Sequence, residues 1–361
     1  MIFSRGLQKK GWAKARTRDL RAISAAGSLV LILGSFVMPV NFVTEHPGPT
    51  FNTIGKYQDH ELMSIEGMQT YPANGNLDMT TVSVAGGPNS TVGALGVFSA
   101  WLEDSASVLP SDLLYAPRLT TQEVSQQNSA EMTNSQEVAQ AAALTYLGVD
   151  FTERLKVSSA AAGGPGEGKI EPGDIIEGIG GTDIRSYQDF TAAVNASQGA
   201  EITVRVNRKG QEQDIKLTPV RSEETGKFVL GLYIARDFDF PMTVKYGLEE
   251  VGGPSAGMMF SLGIIDELTA GDMTGGQHFA GTGTIDVDGS VGGIGGIAQK
   301  MRGASDTGAT VFLAPAANCD EVVGNVPEGL HVIKVETLSE AVDAVTKIGQ
   351  GEDPSGFPTC S

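Results

Sequence analysis

Residues 22–43, AISAAGSLVLILGSFVMPVNFV, form an unbroken uncharged stretch, and no other segment matches its length and apolarity. As a helix rising about 1.5 Å per residue it would reach roughly 33 Å, enough for a bilayer core, so one transmembrane helix is predicted here. EHPGPTFNTIGKY (45–57) reads as a Pro- and Gly-punctuated link, and LDMTTVSV (77–84) alternates as a half-buried strand does. Over 134–148, NSQEVAQAAALTYLG, the spacing predicts a helix with Asn134 at the cap, Glu137 three positions on and Gly148 at the exit.

Between 151 and 222 the texture changes to short apolar runs broken by turns. DIIEGIG (174–180), ITVRVN (202–207) and QDIKLTPV (213–220) read as strands, with a short helix over SYQDFTAAVNAS. Beyond it an apolar helix is predicted over 256–268. From 279 the chain reads as a strand, an Asp288–Gly289 turn, a second strand, a glycine-rich bend and a helix carrying Lys300; GLHVIKV then begins a buried strand at His331.

Length adds a bound: at 361 residues and roughly 150 per domain, two domains plus appendages are expected. The 47 glycines are nearly twice the usual share of about 7%, which implies many turns and close backbone approaches. Charge divides the chain. Seven basic residues (Arg5, Lys9, Lys10, Lys14, Arg16, Arg18, Arg21) against Asp19 give the head +6, so a total of −18 leaves −24 on the body. An acidic body repels phosphate backbones, which excludes nucleic acid as a partner. A basic head before the apolar stretch favours a cytoplasmic N-terminus, with everything after about residue 44 outside. A cleaved signal peptide would need a shorter apolar region and a small-x-small site; MPVNFVT (38–44) has none, so an uncleaved anchor is expected.

EEVGGPSAGMMF (249–260) sets Ser255 between small residues before an apolar run, in a GxSxG frame. Three readings compete. Ser255 could cap the following helix and do nothing else. It could belong to a Ser-His-Asp triad, but only His278 and His331 follow, and the preceding GLEEVGG is a loop where such an elbow needs a strand. Thirdly, Lys300 could serve as its base. Ile294, Ile297, Ala298, Met301 and Ala304 surround Lys300 in sequence and lay its stem along apolar surface. A lysine of ordinary pKa, about 10.4, must fall by roughly 3 units, some 4 kcal/mol, to act as base at neutral pH. Burial does this by disfavouring the charged form, and the neutral amine can then take a hydroxyl proton.

Two resemblances organise these readings. GKIEPGDIIEGIGGTDIRSYQDFTAAV resembles the central signature of bacterial protease-associated PDZ domains, with its Pro172–Gly173–Asp174 turn, apolar strand, glycine turn and helix. That implies a groove binding extended peptide ends by strand addition. The insertion AAAGGPGEG (160–168) blurs the carboxylate loop, so no peptide-binding residue is assigned. A small β-rich domain without a ligand is the plain alternative.

GGPSAGMMFSLGIIDELT, AGTGTIDVDGSVGGIGGIAQKMRGASDTGA and VFLAPAANCDEV together resemble the proteolytic domain of the Lon peptidase family over roughly 240–347, with the lysine 45 positions after the serine. The resemblance implies Ser255 as nucleophile, Lys300 as general base, Thr282 as the threonine orienting the lysine, and backbone amides at the Ser255 turn as oxyanion donors. Related segments often carry Asp just before Gly-Pro-Ser, where this chain has Gly252. No GxxxxGK[ST] loop occurs, so no ATPase motor is encoded.

Anchor, PDZ module and catalytic domain in one chain resemble the membrane-anchored PDZ Lon-like serine proteases of bacteria. The implied fold class is α+β, an N-terminal transmembrane helix before a Lon-type proteolytic domain with an inserted β-rich PDZ domain. Boundaries follow as 1–21 cytoplasmic, 22–43 membrane, 44–150 extracytoplasmic and part of the protease, 151–235 PDZ, 236–347 proteolytic and 348–361 tail. Expected partners are polypeptide substrates and the membrane, with a homo-oligomer, a hexamer by analogy. The rival is a catalytically silent PDZ adaptor. Scattered His46, His60, His278 and His331, with no HExxH or CxxC pair, give no reason to expect a metal or other cofactor. A Cys319–Cys360 disulfide would tether a tail that otherwise reads as flexible, but spacing leaves the pairing open.

Overall fold

A computed structural model describes residues 22–31, 34, 40–88, 90, 92–116, 119–223, 225–248 and 251–361. Residues 22–31 and 34 are helical, and no helix among the described residues is long and apolar enough to cross a membrane. Residues 32, 33 and 35–39 of the predicted span lie outside the described residues. Its end is corrected: Phe42 and Val43 open strand β1 (Phe42–Asn52), where Val43 is fully buried between Gly86 and Leu109. The segment expected to be a link is thus strand, tolerating Pro47 and Pro49 because its register breaks between Pro47 and Thr50.

β1 pairs antiparallel with β2 (Asn76–Gly86). Helix α1 (Ala94–Trp101) and edge strand β3 (Ser107–Pro110) follow, β3 pairing with the start of β1. Helix α2 (Thr121–Leu147) starts well before the expected Asn134. Its true cap is Thr120, in a capping box with Glu123, and it ends as expected at a left-handed Gly148. Only the C-terminal half of α2 is continuously buried, from Val138 to Leu144, so the mostly exposed first half carries little apolar periodicity to read.

The chain then builds a second body over β4 (Thr152–Ala160), β5 (Ile175–Ile179), α3 (Tyr187–Ala196), β6 (Ile202–Arg208), β7 (Gln211–Leu217) and β8 (Leu232–Asp239), with sheet order β7-β6-β5-β4-β8. It has its own core of Val157, Ile176, Phe190, Val204 and Leu217. Asp174 of the Pro-Gly-Asp turn is buried and held by Arg208 at 2.8 and 2.7 Å and by the Glu171 amide. Burial alone would raise its pKa; the guanidinium and amide outweigh that and lower it. The turn residue is therefore structural.

After β8 the chain returns to the first body through α4 (Gly257–Leu268), β9 (His278–Gly281), α5 (Ile297–Asp306), β10 (Val311–Pro315), β11 (His331–Val335) and α6 (Leu338–Gly349). β9 pairs parallel with β2, Asn76 opposite His278, so the described residues of both halves form one mixed sheet, β11-β10-β9-β2-β1-β3. Helices cover both faces, which is why Leu77 to Thr80 are all buried instead of alternating. Leu77, Met79, Phe260 and Phe279 pack on one face; Ala280, Ile297, Met301 and Phe312 pack on the other. Arg236 on β8 joins the two bodies, bonded to the nearly buried Glu153 on β4 and, at 2.8 Å, to Asp286 of the returning half.

The tail is docked. Pro358 accepts a bond from the Lys334 amide and Cys360 is disulfide-bonded to Cys319. A bridge closing a loop of this size constrains the unfolded chain. Replacing Cys319 with Ser should lower unfolding free energy by about 2–4 kcal/mol, read as a lower denaturant midpoint.

Candidate active site

Ser255 lies one residue before Ala256, the N-cap of α4, and the cap makes no side-chain bond, so the capping reading fails. The turn is fixed from both sides. From α2, the Ser135 hydroxyl donates to Pro254 O and Asn128 O accepts from the Gly253 amide; from the segment after β9, Gly283 N and the Thr282 hydroxyl both donate to Ser255 O. A Cβ at Gly252 would stand 2.6 Å from Asn128 Cβ, so α2 leaves no room for a side chain here. Gly257 is equally confined, since its Cβ would meet Ile285 at 2.7 Å. The small flanks are thus packing requirements.

Lys300, on α5, sends its Nζ to 2.8 Å from Ser255 Oγ and 3.0 Å from Thr282 Oγ1. Thr282 is fully buried, Lys300 nearly so, and Ser255 half-buried. Because the Thr282 hydroxyl proton is directed at Ser255 O, its oxygen can only accept from the amine. A neutral amine then keeps its lone pair for Ser255. The three residues singled out in the sequence therefore converge.

Burial pushes the Lys300 pKa down to about 8, opposed by the charge of Glu45. At pH 7 about a tenth of such amines are neutral, against roughly one in several thousand at the ordinary value. Glu45, on β1, was invisible to sequence reasoning because its strand reads as a link. It is itself buried, and its pKa is raised by that burial, with Lys300 pulling it down and Glu321 adding to the rise. The two histidines that follow Ser255 in sequence stand elsewhere: His278 bonds Asp78 at 2.8 Å, and His331 is exposed at the start of β11.

Ser255 and Lys300 open on a cavity of about 720 Å3 also lined by Phe51, Thr81, Tyr246 and Leu248. The Met258 amide is already engaged by Gly283 O, while Ala256 and Gly257 begin α4, where amides lack intrahelical acceptors. A second cavity, about 640 Å3, lies between α3 and the end of β8, lined by Tyr187, Thr191, Phe228, Val229 and Arg236, and walled by Asp286 to Asp288.

Comparison with known proteins agrees with this architecture. Residues 218–347 match the family model of the Lon protease (S16) C-terminal proteolytic domain, and 156–208 match that of a PDZ domain. The first match starts inside the second body, upstream of β8. Lon protease of Clostridioides difficile is 32% identical over 119 residues, and an archaeal Lon protease of Methanocaldococcus jannaschii is 36% identical over 96. These stretches cover 32% and 27% of this chain but only 15% and 14% of the relatives. Among solved structures, the PDZ domain of an SdrC-like protein from Listeria innocua aligns at 18% identity and TM-score 0.22, covering 22% of this chain and 92% of that one. The returning half of the mixed-sheet body thus carries a proteolytic domain of the Lon (S16) type. The same chain carries a PDZ domain as its second body.

The buried amine has a measurable cost. Its folded pKa lies below the unfolded value, so the unfolded chain binds the extra proton between about pH 8 and 10.5, and stability rises with pH across that window. Lys300→Met should therefore be about 1–3 kcal/mol more stable than the parent below pH 8, the gap narrowing at higher pH in denaturant titrations.

Proposed function

We propose that the chain is an ATP-independent, membrane-attached serine endopeptidase in which Ser255 attacks the scissile carbonyl and Lys300 is its general base. The observation that carries this is the 2.8 Å approach of a buried amine, with pKa about 8, to a hydroxyl facing a peptide-sized cavity. The neutral amine takes the Ser255 proton as Oγ bonds to the carbonyl carbon. The oxyanion so formed is received by the Ala256 and Gly257 amides, aided by the positive end of α4. The resulting ammonium returns the proton to the leaving amine, and water, activated by the same lysine, then clears the acyl-enzyme. Thr282 holds the amine against the serine throughout.

β2 runs beyond β9, so among the described residues its edge from Thr80 onward has no strand partner on that side. An extended polypeptide adding there would pass the serine. Peptide ends are also taken by the PDZ groove between α3 and β8, which delivers or selects substrates. The apolar segment beginning at 22 tethers the chain to a membrane, the peptidase lies outside the cytoplasm, and the molecule assembles as a homo-oligomer, six-fold by resemblance.

Cleavage of a broad peptide pool by the full chain tests the assignment. Ser255→Ala and Lys300→Ala should each lose at least about 1000-fold in kcat/KM, and the double variant little more, because the two act as a unit. The parent kcat/KM should rise about tenfold per pH unit up to about 8 and then level, since only the neutral amine is the base. Equal turnover in all variants would refute the dyad, and no turnover by the parent would leave an adaptor.

A further inference from the structure

Helix α1, ALGVFSAW, carries no charge and buries only Ala100. Leu95, Phe98 and Trp101 are 46, 55 and 71% exposed. The apolar surface continues through exposed Leu102, through Leu113 and Leu114 in the short helix after β3, and to Phe42 at the start of β1. The rings of Phe98 and Trp101 lie 6.2 Å apart. These side chains stand outside the buried clusters of the described residues, and exposed apolar patches of this kind mark contact surfaces.

Its position says what covers it. The Val40 amide bonds Val92 O just before α1, and Ser111 N bonds Asn41 O, both at 3.2 Å. The chain therefore leaves the apolar stretch of residues 22–43 directly against this unit. Resting on the membrane attachment proposed above, we propose that α1 and the 111–114 turn form an interfacial foot, bedding Phe98, Trp101 and Leu113 into the headgroup and upper acyl layer beside the anchor. Tryptophan and phenylalanine suit that layer, being apolar enough for the acyl boundary and, for the indole, able to donate to water or a headgroup. Glu103, Asp104 and Asp112 stand exposed around the patch, so the lipid it accepts has no net negative charge. A flexible tether alone would leave the catalytic cavity free to tumble; a second contact on the other side of the chain's exit fixes which way it faces.

The full chain has two tryptophans, Trp12 and Trp101, so Trp12→Phe leaves Trp101 as the sole reporter. That variant would be reconstituted into phosphatidylcholine vesicles with plain or brominated acyl chains and floated on a density gradient. The proposal expects brominated lipid to remove more than half of the Trp101 emission. Adding Leu95→Glu and Leu113→Glu should restore it, and anionic vesicles should quench less. Chain that floats with Trp101 unquenched overturns the foot while the anchor stands. If Trp101 is also closed to aqueous acrylamide and the chains cross-link, a second copy covers the face, and the lipid assignment is again overturned. Chain that does not float at all brings down the anchor and the foot together.

Discussion

An amine kept out of water is the constraint around which the catalytic body is arranged. Lys300 reaches Ser255 and Thr282 only because α5 packs its apolar side against Ala280 and Phe312, leaving the lysine stem no solvated route. The same burial that lowers its proton affinity destabilises the fold, so the surrounding packing must be redundant. It is: every residue of α4 from Gly257 to Asp266 is buried, and the serine turn is gripped by α2 and by the segment after β9. Glu45 opposes that fall, its charge favouring the protonated amine.

The PDZ body is connected to this arrangement through more than its two covalent links. Arg236 lies over the Tyr187 and Phe238 rings while bonding Glu153 on its own sheet and Asp286 across the junction. Asp286 directly follows the short strand Thr284–Ile285, and Ile285 is the side chain that abuts Gly257. A continuous set of contacts therefore runs from the cavity beside α3 to the residue two places after Ser255.

What could be read from the sequence was local. Ser255, Thr282 and Lys300 each sit in short segments whose glycines and apolar neighbours announce the turn or helix, and linear order sufficed to pair them. The strands of the PDZ body were legible for the same reason. Glu45 was not, because its partners Lys300 and Glu321 lie more than 250 residues away, and prolines disguise its strand. The first half of α2 was missed because its stabilisation comes from the Thr120–Glu123 box and not from an apolar stripe. The role of Gly252 emerged only when Asn128 of α2 was seen packed against it.

Splitting one sheet around an inserted domain has a consequence for how the molecule comes into being. Asn76 must wait for His278, some 200 residues later, before the central pairing of β2 and β9 can close, whereas the inserted body can condense from contacts entirely its own. The emerging polypeptide therefore closes its two bodies on different schedules: the inserted body matures early, and Ser255, Thr282 and Lys300 meet last, when the strands behind them complete the sheet. On a ribosome-bound chain the Ser255–Lys300 contact cannot form until the returning half has emerged.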